Sequence, residues 1–298
     1  MKITLLGVPS SIGARNLGTE KAPTALREAG LLRRLGSSGI DWRDAGDLPA
    51  FSYVEDDDPA HARHKNLEGV LHMARTLADR VDAILSESRA ALILGGDCTV
   101  ALGTLAGATR VHSEVGLAYF DRDAELNTPA TTPSGILDGM VIAHLLGRGE
   151  PSLATFERPA PLLRPGKLAL LGVGRLDAQE IPVFEALPAL RVSSQELRAM
   201  PAMRAAEEVL ARLAVGSDRF WVHCDLDVLE GDEMPAVDFP APGGLAFPQL
   251  TGILRTLAAS PGFAGMEITN FNPDRDTGGK AARRVVEMVG EILTEAAA

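Results

Sequence analysis

The chain has 298 residues, of which 46% are hydrophobic and 23% charged; this excludes disordered, collagenous and repeat architectures and leaves a globular chain with a substantial core. Forty acids against 29 Lys and Arg give a formal charge of -11, a field that repels phosphate backbones and attracts cations, so nucleic acid is not an expected partner. Two cysteines, Cys98 and Cys224, cannot build a disulfide framework, no apolar run reaches the roughly 18 residues of a membrane helix, and the opening MKITLLGVPSSIGA is too short and lightly charged for a signal peptide; a cytoplasmic protein without a membrane partner is expected.

In chain order, a buried strand is predicted at 3–8, an amphipathic helix at 25–35 and a longer one at 60–86, followed by strands at 90–94, 115–120 and 168–173. A helix at 202–213, strands at 220–222 and 263–268 and a last helix at 280–297 complete the series. Strand alternates with helix, which argues for an α/β fold with a mostly parallel sheet, because parallel neighbours need crossovers and helices must cover both faces. No repeat, linker or composition shift divides the chain, so 1–298 is expected to be a single domain. Loops rich in Pro, Gly and Thr lie at 127–135, 150–166 and 231–244.

In open parallel sheets ligands bind beyond the carboxyl ends of the strands. The residues there are Asp97 and Cys98; Asp121, Asp123 and Glu125; Arg175 and Asp177; Asp225 and Asp227; and Glu267. Because side chains alternate along a strand, His223, Asp225 and Asp227 are expected on one face and Cys224 on the other. An extended 121–125 segment would likewise set three carboxylates opposite Arg122. Five clustered acids raise one another's pKa and titrate as a group unless a cation compensates them, and oxygen ligands favour hard ions such as Mn²⁺ or Mg²⁺. Competing interpretations are ordinary acidic strand ends, a phosphatase nucleophile at Asp225-Leu226-Asp227-Val228, whose following residues do not suit that family, and a dinucleotide turn at Gly172-Val173-Gly174-Arg175, which lacks the third glycine. His61, His64, His72, His112 and His144 are expected to be packing or solvent-facing residues, Cys224 core, and His223 either packing or a support for Asp225.

A set of motifs in order along nearly the whole chain resembles the ureohydrolases, the arginase, agmatinase and formiminoglutamase group. They are Leu94-Gly95-Gly96-Asp97, Asp121 to Asn127-Thr128-Pro129, Thr132-Pro133-Ser134-Gly135, Asp225-Leu226-Asp227-Val228-Leu229, Pro235-Ala236-Val237-Asp238 with Pro242-Gly243-Gly244-Leu245, and Met266-Glu267 with Asn272-Pro273. Gly7-Val8-Pro9 and the 18–27 segment are similar to the family's first strand and helix. The resemblance implies a three-layer α/β/α domain, assembly as trimers or hexamers, and a dinuclear Mn²⁺ site that hydrolyses a guanidino or related C–N bond. It gives Asp121 and Asp225 the role of bridging carboxylates, Asp227 that of a ligand of the second ion, and Glu267 that of the acid pairing with a small cationic guanidino substrate. Asn127, Ser134 and Asp177 correspond to positions that hold the rest of the substrate.

The chain departs from that pattern where metal ligands are expected. Gly-Gly-Asp-His reads Gly95-Gly96-Asp97-Cys98, and Asp-x-His-x-Asp reads Asp121-Arg122-Asp123-Ala124-Glu125. Cys98, Asp123 and Glu125 remain possible ligands, but five carboxylates and a thiolate would replace four carboxylates and two imidazoles, and a more negative shell withdraws less charge from bound water. A histidine assigned to proton shuttling is replaced by Asp138, which can pass a proton if its pKa is raised. One or two Mn²⁺ ions, or none, are compatible with this set. Two functions therefore stay open: a metal-dependent hydrolase of the ureohydrolase type, and a protein of that fold that binds a ligand or regulates a partner without the usual catalysis.

Overall fold

The computed structural model describes residues 1–159, 161–214 and 219–295. Among them, eight strands form one sheet: β1 (Lys2–Gly7), β2 (Asp41–Asp47), β3 (Ala90–Leu94), β4 (Val115–Phe120), β5 (Leu168–Val173), β6 (Leu190–Ser193), β7 (Arg219–Asp225) and β8 (Phe263–Thr269). Their order is β2-β1-β3-β8-β7-β4-β5-β6, and every pairing is parallel. Parallel neighbours require crossovers, and the helices that make them cover both faces, giving the three-layer α/β/α architecture expected.

Alternation along β4 shows how the layers divide. Ala118 and Phe120 join a core shared with helices Ala22–Glu28, Leu31–Gly36, Ala202–Leu213, Phe247–Ala258 and Lys280–Glu295. Leu117 and Tyr119 face the opposite core, built with helices Leu67–Ser86, Val100–Val111 and Val141–Leu145. No helix among the described residues is long and apolar enough to cross a membrane.

Among the described residues, two strands and six helices lie outside the sequence expectation, Val100–Val111 and Phe247–Ala258 being the longest of those helices. β2 and β6 are the sheet edges, and β2 is exposed at nearly every position, so DWRDAGD carries no apolar signature. Helix Val100–Val111 is buried through its first nine residues and so has no polar stripe to mark a period, while Phe247–Ala258 opens on Phe247-Pro248. The helix expected at 25–35 is broken by Gly30 at φ 103°, and the one expected at 60–86 begins only at Leu67, because Asn66 at φ 58° stands just before it. The last helix reaches Glu295; the expected end at 296–297 lies outside the described residues.

Candidate functional site

The strand ends meet over five adjacent strands, from β3 through β8, β7 and β4 to β5. After β3 the chain turns sharply through Gly95 and Gly96, at φ 80° and 92°, where an added Cβ would lie 2.7 Å from Pro23 and 2.5 Å from Val100. That turn buries Asp97, which accepts from Ser10 Oγ at 3.0 Å, Gly13 N at 3.2 Å and Thr99 N at 3.0 Å, as well as from Thr99 Oγ1. Asp97 thus holds the loop, and Cys98 is the residue delivered to the site.

Cys98 Sγ lies 3.0 Å from Asp225 Oδ2 and 3.8 Å from Asp121 Oδ2, and it accepts from Asn270 Nδ2 at 3.2 Å. Its backbone N–H donates to Asp138 Oδ1 at 2.6 Å. β4 ends at Phe120, and Asp121 Oδ1 caps the following turn by accepting from Asp123 N at 2.6 Å. Glu125 sits at φ 49° and accepts from the buried Tyr119 hydroxyl, so 121–125 is not the extended segment expected; a folded loop sends each carboxylate in its own direction. β7 ends at Asp225, and residues 226–228 form a short 3₁₀ turn capped by Asp225 Oδ1, which accepts from Asp227 N at 2.7 Å. Asp227 is therefore presented by that turn rather than by the pleat that orients His223 and Asp225. Cys224 packs in the other core, as expected.

Glu267 requires a correction. It is fully buried, Trp221 Nε1 donates to its Oε2, and His223 Nδ1 lies 2.8 Å from its Oε1. Both oxygens are occupied inside the sheet, so this carboxylate cannot receive a substrate cation. Tyr119, His223 and Glu267 are register partners on β4, β7 and β8, with the Tyr119 and His223 rings stacked at 4.0 Å, and this polar row lies beneath the site. The β8 side of the cavity is instead lined by Asn270, at φ 59°, whose Nδ2 donates to Asp225 Oδ2. It was overlooked because it follows the strand's last residue; its place just past a strand end was the available signal.

Above these residues lies a cavity of about 360 Å³ lined by eight acids, Asp121, Asp123, Glu125, Asp138, Asp177, Glu180, Asp225 and Asp227, against two guanidinium groups, Arg15 and Arg175. Asn127 and Ser134 also line it, and Asn127 Nδ2 donates to Asp177 Oδ2 at 2.8 Å. Glu180 holds this wall in place by accepting from Leu126 N at 2.7 Å and Asp177 N at 2.8 Å. Of the residues given a metal, substrate or catalytic role in the sequence, Glu267 and Cys98 are absent from the lining, as are Asp97 and His223, and Cys98 lies directly beneath it.

Three overlapping groups bring ligand atoms within 4.8 Å of one another: Cys98, Asp121, His223 and Asp225; Cys98, Glu125 and Asp138; and Asp121, Asp123 and Asp227. Burial pushes Asp121 and Asp227 well above the usual carboxylate range, and the charge of Asp225 adds to it. Burial does the same to Glu125, beside Asp138, and to Asp138, beside Asp97. Asp225 rises less freely, since Cys98, Asp227 N and Asn270 favour its anion. Burial and then Asp225 push the Cys98 thiol well above its ordinary value, so it is no nucleophile without a cation beside it.

The arginase family model matches residues 1–294. An arginase from Bacillus caldovelox is 31% identical over 293 residues, covering 98% of each chain, and human arginase-1 is 31% identical, covering 98% of this chain and 90% of that one. The solved structure of the Bacillus caldovelox enzyme superposes with a TM-score of 0.91 at 30% identity, covering 98% of this chain and 97% of that one. A formimidoylglutamase from Bacillus subtilis shares the fold, with a TM-score of 0.78 at 20% identity over 99% of this chain and 87% of its own. The chain belongs to the arginase family.

Proposed function

We propose that this member of the arginase family is a hydrolase that cleaves a C–N bond of a small guanidino or amidine-like cation. The observation that carries the proposal is the acid-lined cavity at the strand ends, in which eight carboxylates outnumber two guanidinium groups. A cavity of one charge sign concentrates the opposite charge, so it selects a cationic ligand. The family resemblance supplies the reaction class, in which water adds to the guanidinium carbon, the C–N bond breaks, and urea and a protonated amine leave.

The residues present fit one divalent ion such as Mn²⁺ in the half of the site around Cys98. Several buried carboxylates are too costly to leave ionised without a cation, and carboxylate oxygens suit a hard ion. Cys98, Asp121 and Asp225 would hold it, with Glu125 on the far side of Cys98. An ion bound there supplies Lewis acidity toward water.

The chain's own groups account for the remaining steps. Asp177, fixed by Asn127 and Glu180, receives the polar end of the substrate together with Ser134. Asp138 faces the cavity, and burial raises its carboxyl above the usual carboxylate range, the direction that suits a general acid for the leaving nitrogen. Such general-acid help is worth on the order of 10²-fold to 10⁴-fold in rate.

The test is urea or ammonia release from a panel of guanidino and amidine compounds with added Mn²⁺. Turnover of at least one compound is expected, with Asp138→Asn lowering kcat by about 10²-fold or more and Asp225→Asn abolishing it together with metal binding. No turnover of any member would refute the proposal.

A further inference from the structure

Arg175 is held against the acid cluster by both backbone and side chain. Beyond β5, Gly174 N and Arg175 N both donate to Arg122 O at 3.0 Å, which gives Asp123 and Arg175 a parallel bridge. The bridge sets the two side chains beside each other. Arg175 Nε donates to Asp123 Oδ1 at 2.5 Å while Nη2 donates to Oδ2 of the same carboxylate, a two-pronged pairing. Nη2 also lies 3.6 Å from Asp227 Oδ2. On its outer side the guanidinium carbon lies 5.8 Å from the Phe239 ring centroid.

Asp123 and Asp227 are two members of the trio, with Asp121, that would have to hold the second of two metal ions. An ion in that trio would need carboxylate oxygens that the guanidinium already faces. A guanidinium is charged at every accessible pH, and its fork matches a carboxylate in geometry as well as sign. A dication added there would stand against a fixed positive charge and would have to break the two-pronged pair. The two-ion site implied by the family therefore does not fit this half of the cavity.

We propose that Arg175 is the resident cation of the Asp121, Asp123 and Asp227 half, standing where a second divalent ion would otherwise bind, so that this half takes no metal. The inference deepens the proposed function and rests on it only for the nature of the ion in the other half. It gives the replacement of histidine by Asp123 a physical sense: an imidazole at that position would serve a metal, whereas a carboxylate serves a guanidinium.

The experiment counts Mn²⁺ per chain after equilibrium dialysis of the chelator-stripped full-length protein, by elemental analysis, with low-temperature electron paramagnetic resonance of the same samples. Arg175→Ala and Arg175→Gln are each expected to bind one ion more than the wild type. Where the wild type binds one ion, its spectrum is that of an isolated Mn²⁺, and both variants show an exchange-coupled pair. Two ions in the wild type, or equal counts in wild type and whichever variant folds, would overturn the inference. No ion in the wild type and one in the variants would uphold Arg175's place while removing the ion proposed near Cys98. Absence of turnover would refute the proposed function and leave these counts unaffected.

Discussion

Asn270 joins backbone conformation to site electrostatics, and three substitutions separate the two. Its Nδ2 donates to both Asp225 and Cys98, and its φ of 59° lies in the left-handed region that Asn tolerates better than other side-chain-bearing residues. Asn270→Gly removes the hydrogen bonds and keeps the backbone at ease. The expected cost is about 1.5–3 kcal/mol for a bond to a charged group, plus about 0.5–1 kcal/mol for the freer unfolded chain. Asn270→Ala removes the same bonds and adds about 1–2 kcal/mol of left-handed strain, so it should fall below Gly by up to about 1.5 kcal/mol. Asn270→Asp retains the backbone tolerance but turns a donor toward Asp225 into a fourth carboxylate, beside Asp121, Asp225 and Glu125 and the Cys98 thiol. Metal-free, that variant should be the least stable of the three at pH 8 and recover at pH 5 or with Mn²⁺. Urea denaturation of the metal-free proteins, followed by circular dichroism, measures all three. A glycine variant as stable as wild type would refute the hydrogen-bond argument, and an Asp variant insensitive to pH would refute the electrostatic one.

Two further expectations concern buried residues outside the cavity lining. Burial lowers the pKa of His144 to about 4, against the slight opposing pull of Met140 O, so the folded state keeps this ring neutral while the unfolded chain protonates near 6.5. Stability from His144 is therefore present above pH 6.5 and lost as pH falls toward 4, a total of about 3 kcal/mol; His144→Leu should flatten the acid limb by about that amount, and an unchanged limb in urea titrations at pH 7 and 4.5 would refute this. Glu267→Gln should cost about 1–3 kcal/mol of stability, because it disturbs the acceptor shared by Trp221 and His223. Since Glu267 does not line the cavity, KM should stay within about twofold; a KM raised by an order of magnitude or more at unchanged stability would return the carboxylate to substrate contact.

The inner strands were legible because they are buried on both faces and so read as short apolar runs; β3, β4 and β5 match their expected spans residue for residue. The edges were not legible for the converse reason. β2 exposes most of its side chains, and the four residues of β6 are too few to carry a period. A strand with one neighbour needs no apolar signature, since solvent satisfies what the sheet leaves unpaired. Helix Val100–Val111 escaped notice because burial on all sides removes the polar stripe by which a helix is recognised.

At the site, strand-end position sufficed to find the acids but not to orient them. Asp225 and His223 point as a pleated strand requires, and beyond residue 225 the pleat is gone; Asp227, Glu125 and Asn270 are each placed by a cap or a left-handed residue that alternation cannot describe. Glu267 shows the opposite error. It lies within β8, on the face of His223 and Tyr119, so its charge belongs to the interior of the sheet. Two of the side chains that meet the cluster's charge come from neighbouring strand ends distant in sequence, Arg175 on Asp123 and Asn270 on Asp225, and Tyr119 meets Glu125 from within β4. A count of acids therefore overstates the vacancy for metal, because each acid must be weighed with the donor that faces it. In the half around Cys98 those donors are neutral and can yield to an ion, whereas in the half around Asp123 the partner is a permanent cation fixed by its own backbone bridge. The two halves of one acidic cavity thus differ in kind, although the sequence writes them in the same residues.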